Sequence, residues 1–208
     1  MLREKLRRRA YLVWKRTGFK NKIKANLAKH GVRRKFSYSK DGREWLKSLR
    51  IEAVDDYLAI IESLNNPIDR IEREIKREAK KDKETEIVMT VPGIGFVWGL
   101  TFTTEIGNVN RFSGPEKLCS YAGMIPSTHQ SGPMERHGSI TKEGNRYLRW
   151  AAVECTWSHL KHAEDTKLTR FYGKLARKKG KQVAAVATGR KLLVTLYWML
   201  KRREKFRP

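Results

Sequence analysis

Long apolar segments are scarce in this chain of 208 residues. The longest apolar run, 192–200, is too short to cross a bilayer and is interrupted by Thr195. The residues after Met1 are basic and have no apolar core behind them, so no signal peptide is predicted. We therefore expect a soluble, cytoplasmic protein that does not engage a membrane.

Cysteine is also scarce, with Cys119 and Cys155 as the two thiols of the chain. A disulfide-stapled scaffold needs more cysteines in a shorter sequence, and a zinc site needs a CxxC-type spacing that is missing. Both cysteines lie among apolar neighbours, so we expect reduced side chains in the core. No metal site is predicted in this chain.

Strand signals are missing as well, because no useful stretch alternates between apolar and polar residues. Apolar residues instead recur every three or four positions, which is typical of amphipathic helices. The sequence therefore predicts an all-α fold, and in the last part of the chain it predicts helices near 95–106, 114–122, 143–162, 165–178 and 181–203.

Acidic residues are outnumbered, with 22 of them against 46 lysines and arginines, for a net charge of +24. Such an excess is an argument about partners rather than about fold. A pI near 10.3 is typical of a nucleic-acid-binding domain. Nucleic acid is a better partner than a membrane, because the cations lie on helices without a broad Trp and Phe face.

The first predicted domain, residues 1–36, carries 14 basic residues and one acid. Apolar residues at helical spacing indicate a basic amphipathic helix that ends near His30 and Gly31, with its cations facing outward. Binding to phosphates would relieve the repulsion among these charges. We expect phosphate contacts from this helix at Arg7, Arg8, Arg9, Lys20 and Lys22.

The second predicted domain, residues 37–87, has an apolar seam that steps by three or four residues from Val54 to Ile75. Asn66 and Pro67 interrupt the seam, and we expect Asn66 to cap a second helix that has Pro67 in its first turn. This pattern favours a helical hairpin or a coiled-coil arm for homo-oligomer formation. A helix packed on its own chain is an equally good interpretation.

The third predicted domain, residues 88–208, begins with the sequence VPGIG before an apolar helix. Gly93 and Gly95 permit a tight turn and a close backbone approach, and the next helix presents free N–H groups to an anion. The pattern resembles a helix-hairpin-helix, a module that contacts the DNA backbone, although VPGIG also occurs in plain interhelical turns.

A polar, glycine-rich loop at 121–149 is dense in hydroxyl and basic side chains. Ser131 precedes Gly132 and is a candidate nucleophile for a phosphodiester, with His129 and His137 as candidate bases. Serines in loops are more often turn formers, and histidines more often hydrogen-bond at surfaces. The basic residues expected to hold phosphate oxygens are Arg136, Lys142, Arg146 and Arg149, with the last three predicted on one helix face.

Several motifs occur together over residues 88–201, among them VPGIG, EIGNVNRFSGPEKLCSYAGMIPSTHQSG, RHGSITKEGNRYLRWAAVE and FYGKLARKKGK. In this order they resemble the C-terminal domain of the DEDD insertion-sequence transposases, the insertion-sequence-110 group. Residues 1–32 are similar to the basic linker that follows this family's first domain. The resemblance implies a RuvC-like nuclease domain with a D-E-D-D metal site, a coiled-coil arm and a C-terminal domain.

The resemblance also implies a function, which is DNA transposition guided by a structured RNA that the element encodes. The family's nucleophilic serine lies in a segment that matches His129–Gly132 here, so that role is carried to Ser131. Residues 1–87 offer no strand-borne set of carboxylates for Mg²⁺. We therefore expect Mg²⁺ only with a RuvC-like partner domain, in a chain that is a decayed, internally initiated or split product.

Three functions follow as hypotheses. The first is a transposase fragment that binds DNA and a guide RNA, oligomerises or joins a full-length transposase, associates with the nucleoid, and supplies Ser131. The second is a non-catalytic nucleic-acid-binding module derived from a transposase. The third is a basic structural protein of a ribonucleoprotein.

Overall fold

A computed structural model describes residues 1–131 and 134–208, and for 128–131 and 134–137 it describes the backbone but not the side chains. The chain forms two compact units, Met1–Glu74 and Ile75–Pro208. The helices are α1 (Leu2–Lys29), α2 (Lys40–Ser48), α3 (Glu52–Ala79), α4 (Lys83–Met89), α5 (Phe96–Ile106), α6 (Pro115–Tyr121), α7 (Arg146–His162), α8 (Lys167–Lys179) and α9 (Lys181–Arg202). A 3₁₀ turn spans Val109–Arg111, and strands β1 (Pro126–Ser131) and β2 (Met134–Ile140) separate α6 from α7.

The predicted all-α fold is confirmed in the described part of the chain, where one two-stranded sheet accompanies the helices. The long helix at the start ends at Lys29 with His30 as its cap, as the His30–Gly31 signal indicated. The helices expected in the last part of the chain begin and end within three residues of their predicted limits. The division into domains 1–36, 37–87 and 88–208 stays a prediction.

In the first unit, α1 and α3 run antiparallel, because residues early in α1 meet residues late in α3. Lys5 Nζ lies 2.6 Å from Glu74 Oε2, and Phe19 packs against Tyr57 with ring centroids 5.8 Å apart. Helix α2 packs against both through Leu46. The core they share consists of Ile23, Leu27, Leu46, Val54, Leu58 and Ile61.

The cations of α1 do not all face outward, which corrects the prediction for this helix. Arg9 Nε donates a 2.9 Å hydrogen bond to Glu72 Oε1, and Arg16 Nη1 donates a 2.8 Å bond to Asn65 Oδ1. Lys5 pairs with Glu74 as described above. Helix α3 therefore compensates part of the positive charge of α1, because Glu72 and Glu74 of α3 lie against basic residues of α1.

The helix break predicted at Pro67 is wrong, since α3 is continuous from Glu52 to Ala79 with Pro67 inside it. A proline in a helix interior removes one backbone hydrogen bond and costs roughly 3 kcal/mol. Apolar side chains on both sides of it, Leu58, Ile61, Ile68 and Ile71, are each 3% exposed or less. Burial of each stabilises the helix by about 1.5–3 kcal/mol, so burial outweighs the proline.

In the second unit, α9 lies at the centre of the core. Leu192, Leu193 and Leu196 of α9 are at most 1% exposed. Gly189 lets α9 approach α7, because a Cβ there would lie 3.2 Å from the Ala152 carbonyl oxygen. Within the described residues, α9 is the single helix long and apolar enough to cross a membrane, but 56% of that window is buried in protein. Helix α9 is accordingly a core helix.

Both cysteines are reduced and buried, as predicted. Burial raises the pKa of the Cys119 thiol, while Arg190 acts in the opposite direction. Burial likewise raises the pKa of Cys155. A thiol with a raised pKa is mostly protonated at neutral pH and is a poor nucleophile.

The polar loop predicted at 121–149 contains a β-hairpin, which the sequence did not indicate. Strands β1 and β2 are antiparallel, with Ser131 opposite Met134 and Pro126 opposite Ile140. Their residues are mostly polar and do not alternate, so the period-2 signal of a half-buried strand is absent. Backbone hydrogen bonds define these strands, and side-chain patterns do not report such bonds.

His159 joins three parts of the second unit and is 1% exposed. Its Nδ1 donates to the Pro92 carbonyl oxygen at 2.9 Å, which leaves Nε2 to accept from the Thr166 hydroxyl at 2.8 Å. A neutral imidazole that carries its proton on Nδ1 fits both bonds. Burial lowers the pKa of His159, and the hydrogen bond to Pro92 opposes that shift. The ring thereby ties the turn before α5 to the start of α8.

We expect His159 to make the second unit sensitive to acid. Because its pKa is lowered on folding, its contribution is present above the ordinary value of 6.5 and is lost as pH falls through the folded-state pKa. A His159→Asn variant should be less stable at pH 7.5 by roughly 1–3 kcal/mol, and the difference should shrink as the pH falls. Urea unfolding of both proteins between about pH 5 and 8 measures this.

His162 of the same helix is the control, because it is exposed. A His162→Asn variant should change stability by less than about 0.5 kcal/mol. If the His159 variant and the parent protein lost stability in parallel as the pH fell, His159 would not be the acid-sensitive group.

Candidate functional site

The base of the hairpin is held by backbone hydrogen bonds between the segments that precede β1 and follow β2. The amide of Lys142 donates to the Gly123 carbonyl at 3.0 Å, and the amide of Thr141 donates to Ile125 at 2.9 Å. The amide of Asn145 donates to the Tyr121 carbonyl at 2.7 Å. The two ends of the hairpin are therefore fixed to each other and to α6 and α7.

Two glycines make this close approach possible. Gly123 has φ +64°, and a Cβ there would lie 2.5 Å from the Glu143 carbonyl oxygen. Gly144 has φ +127°, and a Cβ there would lie 2.4 Å from the Tyr121 carbonyl oxygen. Other residues would meet both an unfavourable backbone conformation and a clash with backbone atoms.

Asn145 is the centre of this base. Its Oδ1 accepts hydrogen bonds from the amides of Tyr147 and Leu148, at 3.1 and 3.0 Å, and so caps α7. Its Nδ2 donates to Glu105 Oε2 at 2.8 Å and to the Tyr121 hydroxyl at 3.3 Å. Glu105 is 1% exposed and lies at the end of α5. One side chain thus connects α5, α6 and α7.

Arg149, predicted to hold phosphate, lies against the same base. Its Nη1 donates a 2.7 Å hydrogen bond to the Ala122 carbonyl oxygen. Burial lowers the pKa of its guanidinium. A Cβ at Gly123 would lie 2.7 Å from this Nη1, so the missing side chain of Gly123 makes room for it. A phosphate bound at Arg149 would therefore share the guanidinium with the Ala122 carbonyl oxygen.

Ser131 is the last residue of β1 and pairs with Met134 at the start of β2. His129 pairs with Arg136, and His137 pairs with Thr128, by backbone register. The side chains of Ser131, His129, Arg136 and His137 lie outside the described part of the structure. Near the base of the hairpin, the Ser127 Oγ donates a 3.0 Å hydrogen bond to the Ser139 carbonyl oxygen.

The predicted common face of Lys142, Arg146 and Arg149 is wrong. Lys142 precedes α7 and has φ +59°, because the backbone bends there to bring Gly144 against Tyr121. Arg146 is exposed at the first position of α7, and its guanidinium lies 5.1 Å from the ring of Tyr147. Lys142 and Arg146 are exposed beside the hairpin base, whereas Arg149 turns towards it.

The VPGIG turn lies between α4 and α5. Gly93 has φ +90°, and a Cβ there would lie 2.6 Å from the backbone nitrogen of His159, so glycine is required by contact with α7. Gly95 caps α5 without a side-chain hydrogen bond and has no atom within 4 Å of its Cβ position. The open N-terminus of α5 is therefore at Gly95, and Gly93 serves internal packing.

Trp150 is 38% exposed and packs edge-on against Trp98, with ring centroids 4.8 Å apart. Its Nε1 donates a 3.3 Å bond to Glu154 Oε1. The tryptophan thus packs on α5 as the sequence favoured, yet it keeps a solvent-facing edge.

The five cations predicted on α1 lie in different environments. Arg8 is exposed, whereas Arg9 is bonded to Glu72. Lys20 lies with its Nζ 4.7 Å from the ring of Tyr38, and burial, followed by the charges of Arg16 and Lys24, lowers its pKa. Lys22 is exposed near Tyr57, and Arg7 is half-buried.

A cationic stripe on α8 was not singled out from the sequence. Four exposed cations recur at three- and four-residue spacing along it, and more follow where α8 meets α9. The set comprises Lys167, Arg170, Lys174, Arg177, Lys178, Lys179 and Lys181. The side chain of Arg170 pairs with Asp165 at 3.4 Å, and both are exposed. The spacing in KLTRFYGKLARKKGK would have revealed this stripe.

Among the residues whose side chains are described, no group of three or more His, Cys, Asp or Glu is arranged to hold a metal ion. The described chemistry of the site is therefore hydrogen bonding and positive charge around a hairpin whose first strand ends at Ser131.

Residues 85–173 match the profile of the transposase IS116/IS110/IS902 family. This segment contains the VPGIG turn, the hairpin, α7 and about half of α8. The match therefore covers the whole hairpin base described above.

Several curated proteins are similar to parts of this chain. A transposase for insertion sequence element IS1111A of Coxiella burnetii is 27% identical over 160 residues, which is 76% of this chain and 40% of that protein. An insertion element IS116 uncharacterized 44.8 kDa protein of Streptomyces clavuligerus is 31% identical over 42% of this chain and 22% of that protein.

A pilin gene-inverting protein of Moraxella bovis is 29% identical over 58% of this chain and 38% of that protein. The chain spans less than half the length of each of these relatives. Residues 85–173, which include the hairpin, are therefore similar to the transposase IS116/IS110/IS902 family, and the IS1111A protein among these relatives is itself named a transposase.

Proposed function

We propose that this chain acts in DNA transposition, with Ser131 as the nucleophile on a DNA phosphodiester. In this step the serine Oγ forms a bond to phosphorus and gives its proton to a base. The bond from phosphorus to one DNA backbone oxygen breaks, and that oxygen takes up a proton as it leaves. The observation that carries the proposal is the family match over residues 85–173, which includes the hairpin whose first strand ends at Ser131.

The anchored base of the hairpin supports this role. A nucleophile must be held close to its reactive geometry, and rigid neighbours achieve this better than a free loop. The bonds of Asn145, Lys142 and Thr141 fix both strand ends to α5, α6 and α7. The hairpin thereby emerges from a defined point on the second unit.

Exposed cations near the base and on α8 supply positions for the DNA backbone. Lys142 and Arg146 are exposed beside the hairpin, and Gly95 leaves the N-terminus of α5 open. Positive side chains and helix N-termini both bind phosphate oxygens. We include in this proposal that the VPGIG turn contacts the DNA backbone as a helix-hairpin-helix does. Gly95, at the N-terminus of α5, would face the phosphate, whereas Gly93 packs against α7.

A RuvC-like partner domain is the second part of the proposal. It would supply the carboxylates that hold Mg²⁺, and it would come from a full-length transposase or another segment of the same protein. A structured guide RNA, a homo-oligomer and association with the nucleoid in the cytoplasm complete the assembly that we propose. The net charge of +24 supports binding of both nucleic acids.

Replacement of Ser131 by alanine tests the nucleophile. Mixed with element-end DNA, Mg²⁺ and a full-length transposase, the chain should form a covalent DNA adduct that denaturing electrophoresis resolves. Ser131→Ala should abolish the adduct, because the attacking oxygen is removed. Ser127→Ala is the matched control, since Ser127 lies on the same strand and its Oγ bonds the Ser139 carbonyl.

Loss of the adduct in both variants would indicate damage to the hairpin rather than to chemistry. The absence of an adduct in every combination that still binds DNA would favour the second candidate, a non-catalytic nucleic-acid-binding module. The exposed cations of α8 and α1 would serve that module equally well.

The hairpin base can be tested by exchanging the donor and the acceptor of the hydrogen bond between positions 145 and 105. In Asn145→Asp, the cap of α7 survives, but two carboxylates face each other where Asn145 Nδ2 now lies 2.8 Å from Glu105 Oε2. We expect a loss of roughly 1–3 kcal/mol in the free energy of unfolding and a slower adduct reaction. Adding Glu105→Gln restores a donor opposite the new carboxylate, so the double variant should recover most of both losses.

Urea unfolding and the rate of adduct formation measure the recovery, and Glu105→Gln alone is the control. If the double variant were no better than Asn145→Asp, the bond between positions 145 and 105 would not be what supports the hairpin.

Neutralisation of the α8 stripe tests DNA binding. The triple variant Lys174→Gln, Arg177→Gln, Lys178→Gln should bind duplex DNA more weakly, and its plot of log affinity against log salt should be shallower by up to about 3. Fluorescence anisotropy at several salt concentrations measures both quantities. The matched control removes three other exposed lysines, in Lys80→Gln, Lys81→Gln, Lys83→Gln. An equal effect in both triple variants would mean that net charge, and not the stripe, determines binding.

A further inference from the structure

Two aromatic side chains of α1 are exposed to an unusual degree. Tyr11 is 54% exposed and Trp14 is 66% exposed, more than Trp150, Trp157 or Trp198. Large aromatic rings contribute most when buried, and tryptophan is highly buried on average. Their exposure here therefore needs a reason that the core of the first unit does not provide.

These rings lie on the side of α1 that faces away from α3. The inward side carries the buried Leu6, Ile23 and Leu27, together with Arg9 and Arg16, which bond α3. At 100° per residue, positions 11, 14 and 18 lie about half a turn from that side. We call this side the aromatic face of α1, and it consists of Tyr11, Trp14, Lys15 and Gly18.

The aromatic face combines open ring surface with positive charge. The Nζ of Lys15 lies 5.3 Å from the ring centroid of Tyr11 and 5.0 Å from that of Trp14. The two ring centroids are 6.3 Å apart with planes tilted by 45°. Gly18, one turn after Trp14, has no atom within 4 Å of its Cβ position, so it adds no bulk to this side of the helix.

Resting on the proposed function in DNA transposition, we propose that the aromatic face binds single-stranded DNA by stacking of bases on Trp14 and Tyr11. Aromatic rings beside cations are the standard means of holding a single strand, since every base has a flat face and every nucleotide a phosphate. Lys15 then contacts the phosphate of the nucleotide whose base is stacked.

Charge decides against an apolar protein partner for this face. Docking of an apolar surface would remove Lys15 from water without a counter-charge, which is costly. A polyanion instead gains from the same cation. Duplex DNA fits less well than a single strand, because its bases are already stacked on one another and leave no flat face for the rings.

Anisotropy measurements on the whole chain test this proposal with an oligothymidylate of about 16 nucleotides. The variant Tyr11→Ala, Trp14→Ala should bind the oligonucleotide about tenfold more weakly or worse, with an unchanged salt slope, because stacking releases no counterions. Its affinity for duplex DNA should stay the same. Trp14→Phe should retain most of the affinity for the single strand, since a ring remains.

Trp198→Ala is the matched control, because Trp198 is 42% exposed and the guanidinium of Arg202 lies 4.9 Å from its ring. This variant should bind like the parent chain. Thermal unfolding accompanies each measurement, and we expect no change for the α1 variants, since the rings they remove are exposed.

Three outcomes would overturn the proposal. They are an equal loss on duplex and single strand, a stronger effect on an RNA of the same sequence than on DNA, and self-association that the α1 variant abolishes while single-strand binding persists. The proposed function fails separately, if the parent chain binds neither element-end duplex nor single strand. If the parent chain binds both duplex and single-stranded DNA, and the α1 variants bind them equally well, only the role of the aromatic face is rejected.

Discussion

The hydrogen bonds of Asn145 are the constraint on which the hairpin depends. Its side chain caps α7 with one oxygen and holds Glu105 of α5 and Tyr121 of α6 with its nitrogen. Because these groups are partly or fully buried, a bond that is lost is not replaced by water without cost. Gly123 and Gly144 then have to be glycine, since the backbones on either side of the hairpin meet at distances that leave no room for a Cβ. The conformation of the polar segment between α6 and α7 follows from this arrangement at its base.

The cations of α1 and those of α8 differ in how far neighbouring acids compensate their charge. In the first unit, Glu72 and Glu74 of α3 bind Arg9 and Lys5 of α1, so one side of the basic helix is neutralised and structural. The opposite side keeps its cations and adds two exposed rings. On α8, by contrast, no acid lies within the helix itself, and Asp165 just before it pairs with Arg170. Charge left without compensation in this way favours a polyanionic partner over a purely structural role.

Much of the fold could be predicted from sequence because apolar periodicity and capping residues report local structure. The ends of α1, α5, α8 and α9 followed from glycines and from runs of leucine and isoleucine. Pro67 was misleading, since a local rule about proline could not show that apolar residues on both sides of it would be buried. The hairpin was missed because the residues of β1 and β2 are mostly polar and lack the alternation of a half-buried strand. Of the candidate site, Ser131 came from a family resemblance, while the roles of Asn145, Glu105 and Gly123 required coordinates.

The sequence by itself determined that this chain is helical, strongly basic and related to transposases, because composition, helical spacing and long motifs are properties of the linear chain. The tertiary structure decided which cations are available to a ligand. Arg9 and Arg149 resemble Arg8 and Arg146 in sequence context, yet the first two bond within the protein and the last two are exposed. That distinction arises from contacts between residues 27 to 63 positions apart, as in the bonds of Arg149 to Ala122 and of Arg9 to Glu72. Local patterns carry no information about such contacts, because folding brings those residues together in space.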